Sequence, residues 1–170
     1  TTNLSDMLID SGTTFEGRGT AIFIDALNGA GTLGIGGPST SGLPAGHGIG
    51  VRIGVDDGGG TFSGIIKNTD SSGQAFTLEK VGSGTQILSG NNTYTGATTI
   101  TGSGTLQIGN AGTTGTIGNN SDVSVASGST LAFNRTNTYT YGGVISGDGA
   151  VSINSGTVAL SGASTHTGTI

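Results

Sequence analysis

Leu88-Ser-Gly-Asn-Asn-Thr-Tyr-Thr-Gly96 returns, 72 residues further on, as Leu160-Ser-Gly-Ala-Ser-Thr-His-Thr-Gly168. Around it runs a shorter phrase, Gly-x-Gly-Thr followed by alternating apolar residues, at 29–35, 82–88 and 102–108, with a looser copy at 126–133. The threonines Thr85, Thr105 and Thr130 lie 20 and 25 residues apart, and Ala150, in Gly147-Asp-Gly-Ala150, follows after another 20. A period in the low twenties is too short for a globular domain and fits one coil of a solenoid. Such a chain buries its core by stacking coil on coil, which leaves its outer surface to carry function.

Composition agrees. Glycine supplies 36 of the 170 residues, without a Gly-X-Y period and with only two prolines, which excludes collagen. Charged residues are 9%, too few for a disordered polyelectrolyte. Threonine favours strands, while Gly, Asn and Ser favour the turns between them. The net charge is −5 and the five basic residues (Arg18, Arg52, Lys67, Lys80, Arg135) are scattered singly, which argues against nucleic acid as a partner. The absence of cysteine excludes disulfides and thiolate metal sites. No signal peptide or membrane-length apolar run is visible. The chain starts without Met and stops inside a repeat, at Thr169-Ile170, so it reads as one β-helical segment, 1–170, of a longer solenoid.

Strand signals are short and have period two: Ile22/Ile24, Leu33/Ile35, Leu106/Ile108, Val123/Val125, Leu131/Phe133, Val151/Ile153 and Val158/Leu160 each put two apolar side chains on one face. Asn-Gly, Gly-Asn, Ser-Gly and Asp-Gly pairs punctuate them. An antiparallel sandwich would give each strand a different neighbour, whereas recurring phrases are expected where each strand stacks on its own copy. A parallel β-helix is therefore expected, with Leu88, Leu106, Ile108, Leu131, Phe133, Val151, Ile153, Val158 and Leu160 pointing inward. Residues 36–61, with Pro38, Pro44, His47, Arg52 and Asp56-Asp57, read as a lengthened coil or extruded loop containing a strand around Val51 and Ile53. Residues 68–74 read as a smaller insertion.

The run Leu78-Glu-Lys-Val-Gly-Ser-Gly-Thr-Gln-Ile-Leu-Ser-Gly-Asn-Asn-Thr-Tyr-Thr-Gly-Ala-Thr-Thr-Ile100, closed by Gly104-Thr-Leu-Gln-Ile108, resembles the autotransporter-associated β-strand repeat of Gram-negative autotransporter passengers. One copy covers 62–108 and a truncated copy covers 141–170. The residues that carry the resemblance are Leu88, Ser89, Gly90, Asn92, Thr93, Tyr94, Thr95, Gly96, Leu106 and Ile108, then Leu160, Ser161, Gly162, Thr165, Thr167 and Gly168. Gln86 departs from the pattern where an inward apolar residue is usual; it is either a satisfied polar group inside the coil or the mark of a register shift that turns Ile87 inward. His166 replaces the tyrosine seen at Tyr94. The resemblance implies a right-handed parallel β-helix, displayed on or shed from the bacterial surface, whose repeats help the passenger fold as it leaves the cell. The partners expected are the adjacent coils, an outer-membrane barrel at the C-terminus of the same chain and a host or cell-surface glycan or protein; the resemblance itself does not specify what the complete passenger binds.

Other motifs weigh little. Gly29-Ala-Gly-Thr-Leu-Gly34 fits the dinucleotide fingerprint, but strand residues follow where a helix N-terminus is needed, so no cofactor is expected. Asp56-Asp57-Gly-Gly-Gly60 lacks the ligand number for calcium, and adjacent residues of a strand face opposite ways, so a solvated turn is expected and no metal. His47 is the one seed for a catalytic site; His166 reads as structural because it aligns with Tyr94. The aromatics Phe62, Phe76, Tyr94, Phe133, Tyr139 and Tyr141 read mostly as core. The function expected is a structural, non-enzymatic β-helix segment that supports passenger folding and export and presents an adhesive region. Its rival is a polysaccharide-binding or polysaccharide-degrading module on the same scaffold, disfavoured because acids and bases do not cluster at rung spacing.

Overall fold

Residues 5–17, 21–35, 50–68 and 75–170 are described in the computed structural model of the chain. Glycine and asparagine punctuation cuts the chain into short strands, and no helix forms among the described residues. The first rung holds β1 (Met7–Ile9), β2 (Thr14–Gly17) and β3 (Ile22–Ile24). The second holds β4 (Leu27–Gly29), β5 (Thr32–Ile35) and β6 (Gly50–Ile53), and the third β7 (Thr61–Phe62), β8 (Ile65–Asn68) and β9 (Thr77–Lys80). Later rungs have no middle strand: β10 (Thr85–Leu88) with β11 (Thr98–Ile100), β12 (Thr105–Gly112) with β13 (Val123–Val125), and β14 (Thr130–Tyr141) with β15 (Ile145–Ser146). A last strand, β16 (Ala150–Leu160), opens the next rung.

First strands stack as seven-stranded sheet A, in the order β1-β4-β7-β10-β12-β14-β16. Third strands stack as six-stranded sheet C, β3-β6-β9-β11-β13-β15, and the middle strands β2-β5-β8 form sheet B. Every one of these pairings is parallel. The fold is a parallel β-helix of about six turns, as the repeated phrases imply. At about 4.8 Å per rung it is a rod roughly 30 Å long. Strand β6 carries Val51 and Ile53 into sheet C between β3 and β9, within the main stack.

Register bears out the spacing of the threonines: Thr85 pairs with Thr105, Thr105 with Thr130 and Thr130 with Ala150. One inward column of sheet A runs Leu88, Ile108, Phe133, Ile153, and another runs Gln86, Leu106, Leu131, Val151. In sheet C one inward column is Ile24, Ile53, Lys80, Ile100, Val125, and a second runs Ile22, Val51, Leu78, Thr98, Val123. Leu88, Leu106, Ile108, Leu131, Phe133 and Val151 are buried as expected, and so are Phe62, Phe76, Tyr94 and Tyr141. Tyr139 is only partly buried and packs on the cluster's edge. The expectation fails for Ile153 and Leu160, which are 45% and 42% exposed, and Val158 is half-buried. All three point inward, but no described rung lies beyond them to cover that face. An apolar hollow of about 340 Å³ therefore opens among Ile145, Val151, Ile153, Val158, Leu160 and His166.

Coverage by both neighbours decides what an inward side chain is worth. Leu106→Ala is expected to cost about 2–5 kcal/mol of unfolding free energy, because it leaves a cavity between two rungs. Leu160→Ala, at the uncovered face, is expected to cost under about 1 kcal/mol. Urea unfolding of the two variants checks this, and equal losses would contradict the assignment.

Candidate functional site

The site this fold builds is its stack of corners. Where the chain turns from one sheet to the next its peptide groups leave the ladder, and a buried or half-buried N–H without a partner is costly. Asp and Asn side chains of one rung supply the missing acceptors for the next. Asp25 Oδ1 accepts from Asp56 N (2.9 Å) and Gly58 N (2.7 Å), and Asn28 Oδ1 from Thr61 N (3.1 Å). Asp57 Oδ1 accepts from Ser83 N (2.7 Å), Asn120 Oδ1 from Gly142 N (3.1 Å) and Asp122 Oδ1 from Val144 N (2.9 Å). Between sheets C and A the turn itself needs a left-handed residue, and Gly54, Gly82, Gly102, Gly128 and Gly147 take it in turn, with φ between 68° and 94°.

The repeated phrase is a corner written out. Leu88 points inward; Ser89 N donates to Phe62 O (2.9 Å) and Thr93 N to Ile66 O (2.9 Å). Asn92 is buried, its Oδ1 accepting from Ile66 N (2.9 Å) and its Nδ2 donating to Thr116 O (2.7 Å). Tyr94 fills the interior beside Phe76, ring centroids 5.8 Å apart, with its hydroxyl 2.8 Å from Thr98 Oγ1. Thr95 Oγ1 accepts from Asn68 Nδ2 (2.7 Å), and Gly96 N donates to Phe76 O (2.9 Å). A Cβ at Gly90 would run into the Gly64 carbonyl. The second copy repeats two of these bonds, Ser161 N donating to Tyr141 O (2.9 Å) and Thr165 N to Ile145 O (2.9 Å), while Thr167 N donates to Gly147 O (3.0 Å) where Thr95 N donates to Asn68 Oδ1 (3.4 Å). Gly162 and Gly168 lie against the carbonyls of Gly143 and Gly149 as Gly90 lies against that of Gly64.

Yet the two copies occupy different corners. Leu88 stacks three rungs on with Ile153, not with Leu160, which pairs with Tyr141. Copy one leaves sheet A and rests on Ile66 of β8 in sheet B; copy two rests on Ile145 of β15 in sheet C. The 72-residue offset is thus whole rungs plus about one side. The phrase at 29–35 is displaced in the same manner, since its Thr32 begins β5 of sheet B while Thr85 and Thr105 begin strands of sheet A.

Gln86 and Lys80 are among the polar side chains that sit inside the core. Gln86 is fully buried, its Oε1 accepting from Leu27 N (3.0 Å) and its Nε2 donating to Leu27 O (2.8 Å) and Ile87 O (3.2 Å). Of the two readings of this position, the satisfied polar group is the right one, because Gln86 keeps the inward column of Leu106. Period-two alternation alone does not mark Lys80 as inward, because its side chain is charged, yet it lies in phase with inward Leu78. It is fully buried between Ile53 and Ile100, with Nζ donating to Val81 O. Burial lowers its pKa from the usual lysine value, and the charges of Asp57 and Asp25 oppose that shift. Burial pushes the Tyr94 hydroxyl up to about 12, against hydrogen bonds to Thr98 and Gly118 that lower it; burial raises Tyr141 as well. Arg135, also buried, donates to the carbonyls of Gly115 and Thr113 and lies 4.7 Å over the Tyr139 ring, tying down the bulge after Ile108.

The remaining sequence candidates do not converge. His47 lies outside the described residues. Asp57 spends its carboxylate on Ser83, and no group of three or more His, Asp or Glu is placed to hold a metal ion among the described residues. Gly29 and Thr32 flank a strand-to-strand corner rather than a helix N-terminus. His166 Nε2 lies 2.7 Å from Gly149 O, while its Nδ1 is buried without a partner among the described residues.

Parallel rungs joined by a recurring, locally encoded corner define a repeat β-solenoid. Residues 78–108 and 148–170 match the family described as the passenger-associated-transport-repeat, over the stretches that hold the two copies of the phrase. Over 96 residues, 56% of the chain, it is 42% identical to a protein named Adhesin BmaC autotransporter from Brucella suis biovar 1 (strain 1330). The aligned stretch is 3% of that protein's length. No solved structure matches the chain.

The tyrosine shift sets an alkaline limit. Between about pH 10 and pH 12 the unfolded chain releases tyrosine protons that folded Tyr94 keeps, so the native state binds more protons and stability falls as pH rises. The loss reaches about 1.4 kcal/mol per pH unit per such tyrosine. Tyr94→Phe should flatten the slope of the urea midpoint against pH in that window; an unchanged slope would count against the buried hydroxyl. Lys80 acts in the opposite sense, because its lowered folded pKa makes stability rise with pH below the usual 10.5.

Proposed function

We propose that this chain is a structural β-helix stretch of an autotransporter passenger, outside the cell or on its surface, which supports passenger folding and export and holds an adhesive region away from the membrane. The observation that carries this is the dependence of each rung on its neighbour. Corner N–H groups at Asp56, Gly58, Thr61, Ser83, Gly142 and Val144 find their acceptors only on side chains of the preceding rung. An isolated rung would leave those groups, and its inward apolar face, unpaired. A rung that docks on a finished one gains hydrogen bonds and an apolar interface together, so growth from an existing edge is favoured over folding of separate coils. Growth of this kind outside the cell would rectify the motion of an emerging chain without ATP. The relative named as an adhesin agrees with a surface role, and a C-terminal outer-membrane barrel on the same chain is the export partner this reading requires. A host or cell-surface glycan or protein is the class of ligand it would present a region to.

In the full-length protein, deletion of 78–108 should lower the passenger reaching the surface several-fold, because destabilised chains are cleared before display. Leu106→Asp should do the same, whereas His47→Ala and Asp56→Ala should leave display intact. Surface labelling of intact cells measures this, and undiminished display after the deletion would defeat the proposal.

A further inference from the structure

The rungs are not equally joined. Between the third and fourth rungs sheet A contributes two residue pairs, Thr61 with Ile87 and Phe62 with Leu88. Sheet C contributes three, Leu78 with Thr98, Glu79 with Thr99 and Lys80 with Ile100. Sheet B ends at β8, so among the described residues it adds no ladder there. One rung earlier sheet A supplies a single pair, Gly29 with Phe62, but β5–β8 and β6–β9 each supply four. The ladder thins because β7 starts late. Asp57 has φ of 67°, a conformation a non-glycine residue seldom takes, and Gly58-Gly-Gly60 follows, so the backbone of Leu27 is not met by the strand stacked on it.

Two carboxamides, both on the fourth rung and both buried, cross this thin junction. Gln86 reaches past the third rung to Leu27 of the second, accepting from its N–H and donating to its carbonyl as the missing peptide group would. Gly60 stands between them in the register, and a Cβ there would meet the Leu27 carbonyl and Asn28 Oδ1, so the passage stays open because it is glycine. Asn92 does the equivalent where sheet B ends, bonding Ile66 N of the third rung and Thr116 O of the fifth. A primary amide offers the same donor and acceptor as a peptide unit, and in a dry interior leaving either one unpaired is costly.

We infer that Gln86 and Asn92 are side-chain surrogates for absent strand, and that they couple the three-sheet rungs 1–3 to the repeat-bearing rungs from 4 onward as one cooperative unit. In a solenoid, cooperativity depends on the interfaces between neighbours, so the thinnest interface is where the rod would part. The inference is independent of the export reading, since it concerns the chain as folded.

The three tyrosines, Tyr94, Tyr139 and Tyr141, all lie beyond the junction, so tyrosine fluorescence reports the later rungs while far-ultraviolet circular dichroism reports the whole rod. Urea unfolding of the 170-residue chain should give coincident transitions by the two probes. The double variant Gln86→Leu/Asn92→Leu should separate them, with part of the dichroism lost at lower urea than the tyrosine signal. Coincident transitions in the double variant, at whatever midpoint, would overturn the inference, and so would non-coincidence in the unaltered chain. Should the double variant not fold, hydrogen exchange on the unaltered chain decides. The amides of Leu27 and Ile66 should then exchange as slowly as that of Val123 in the later rungs, and rapid exchange at either would overturn it.

Discussion

A parallel rung cannot satisfy its own backbone. Each strand's N–H and C=O groups point along the rod, to the strands above and below, so hydrogen bonding is completed only by stacking. The rest of the structure follows from that constraint. Flat sides meet it with ladders, as Thr85, Thr105, Thr130 and Ala150 show by lying in one register. Corners cannot, and there Asp25, Asn28, Asp57, Asn120 and Asp122 lend carboxylate or carboxamide oxygens to the next rung. Glycine is abundant for the same reason: successive corners approach so closely that a Cβ at Gly90, Gly162 or Gly168 would strike the carbonyl of the rung below.

The repeat turns out to be a unit of corner rather than a unit of face. Both copies of the Leu-Ser-Gly phrase bond the rung beneath through the same Ser and Thr N–H groups, but one lies against β8 and the other against β15. This is possible because the phrase specifies local matters: an inward Leu, a glycine for close approach, and N–H groups aimed at carbonyls one rung down. Any corner of a roughly three-sided rod can accept it. Whether successive copies of the phrase stay aligned along one edge is therefore decided by rung length, which along sheet A runs from 19 residues between Tyr141 and Leu160 to 33 between Gly29 and Phe62.

The core is less uniformly apolar than a stack of Leu and Ile would suggest. Lys80 occupies a column otherwise made of Ile and Val, its stem in the core and its ammonium bonded to the Val81 carbonyl. Its cost falls where the corner brings Asp25 and Asp57 near enough to favour the charged form. Gln86 and Asn92 cost less, because each carboxamide has its donor and acceptor sides occupied. Buried polar groups that are fully partnered narrow the arrangements a stack can adopt, which suits a rod whose rungs would otherwise slide on one another.

Strand direction, stacking register and the inward columns were legible in the sequence, because a parallel stack copies its pattern from rung to rung: phrases at equal spacing become neighbours, and period-two alternation says which side chains they bury. Leu88, Leu106, Ile108, Leu131 and Phe133 could be assigned on that ground alone. The sequence could not say that Ile153 and Leu160 stand uncovered, since alternation records direction and not whether a rung lies beyond. It did not distinguish a copy three rungs away from one displaced by a further side, since both give the same words. Nor did it show that Gln86 reaches Leu27, 59 positions earlier, or that Lys80 lies inside. Those outcomes depend on which peptide groups remain unpaired after the sheets have formed, and only the assembled stack determines that.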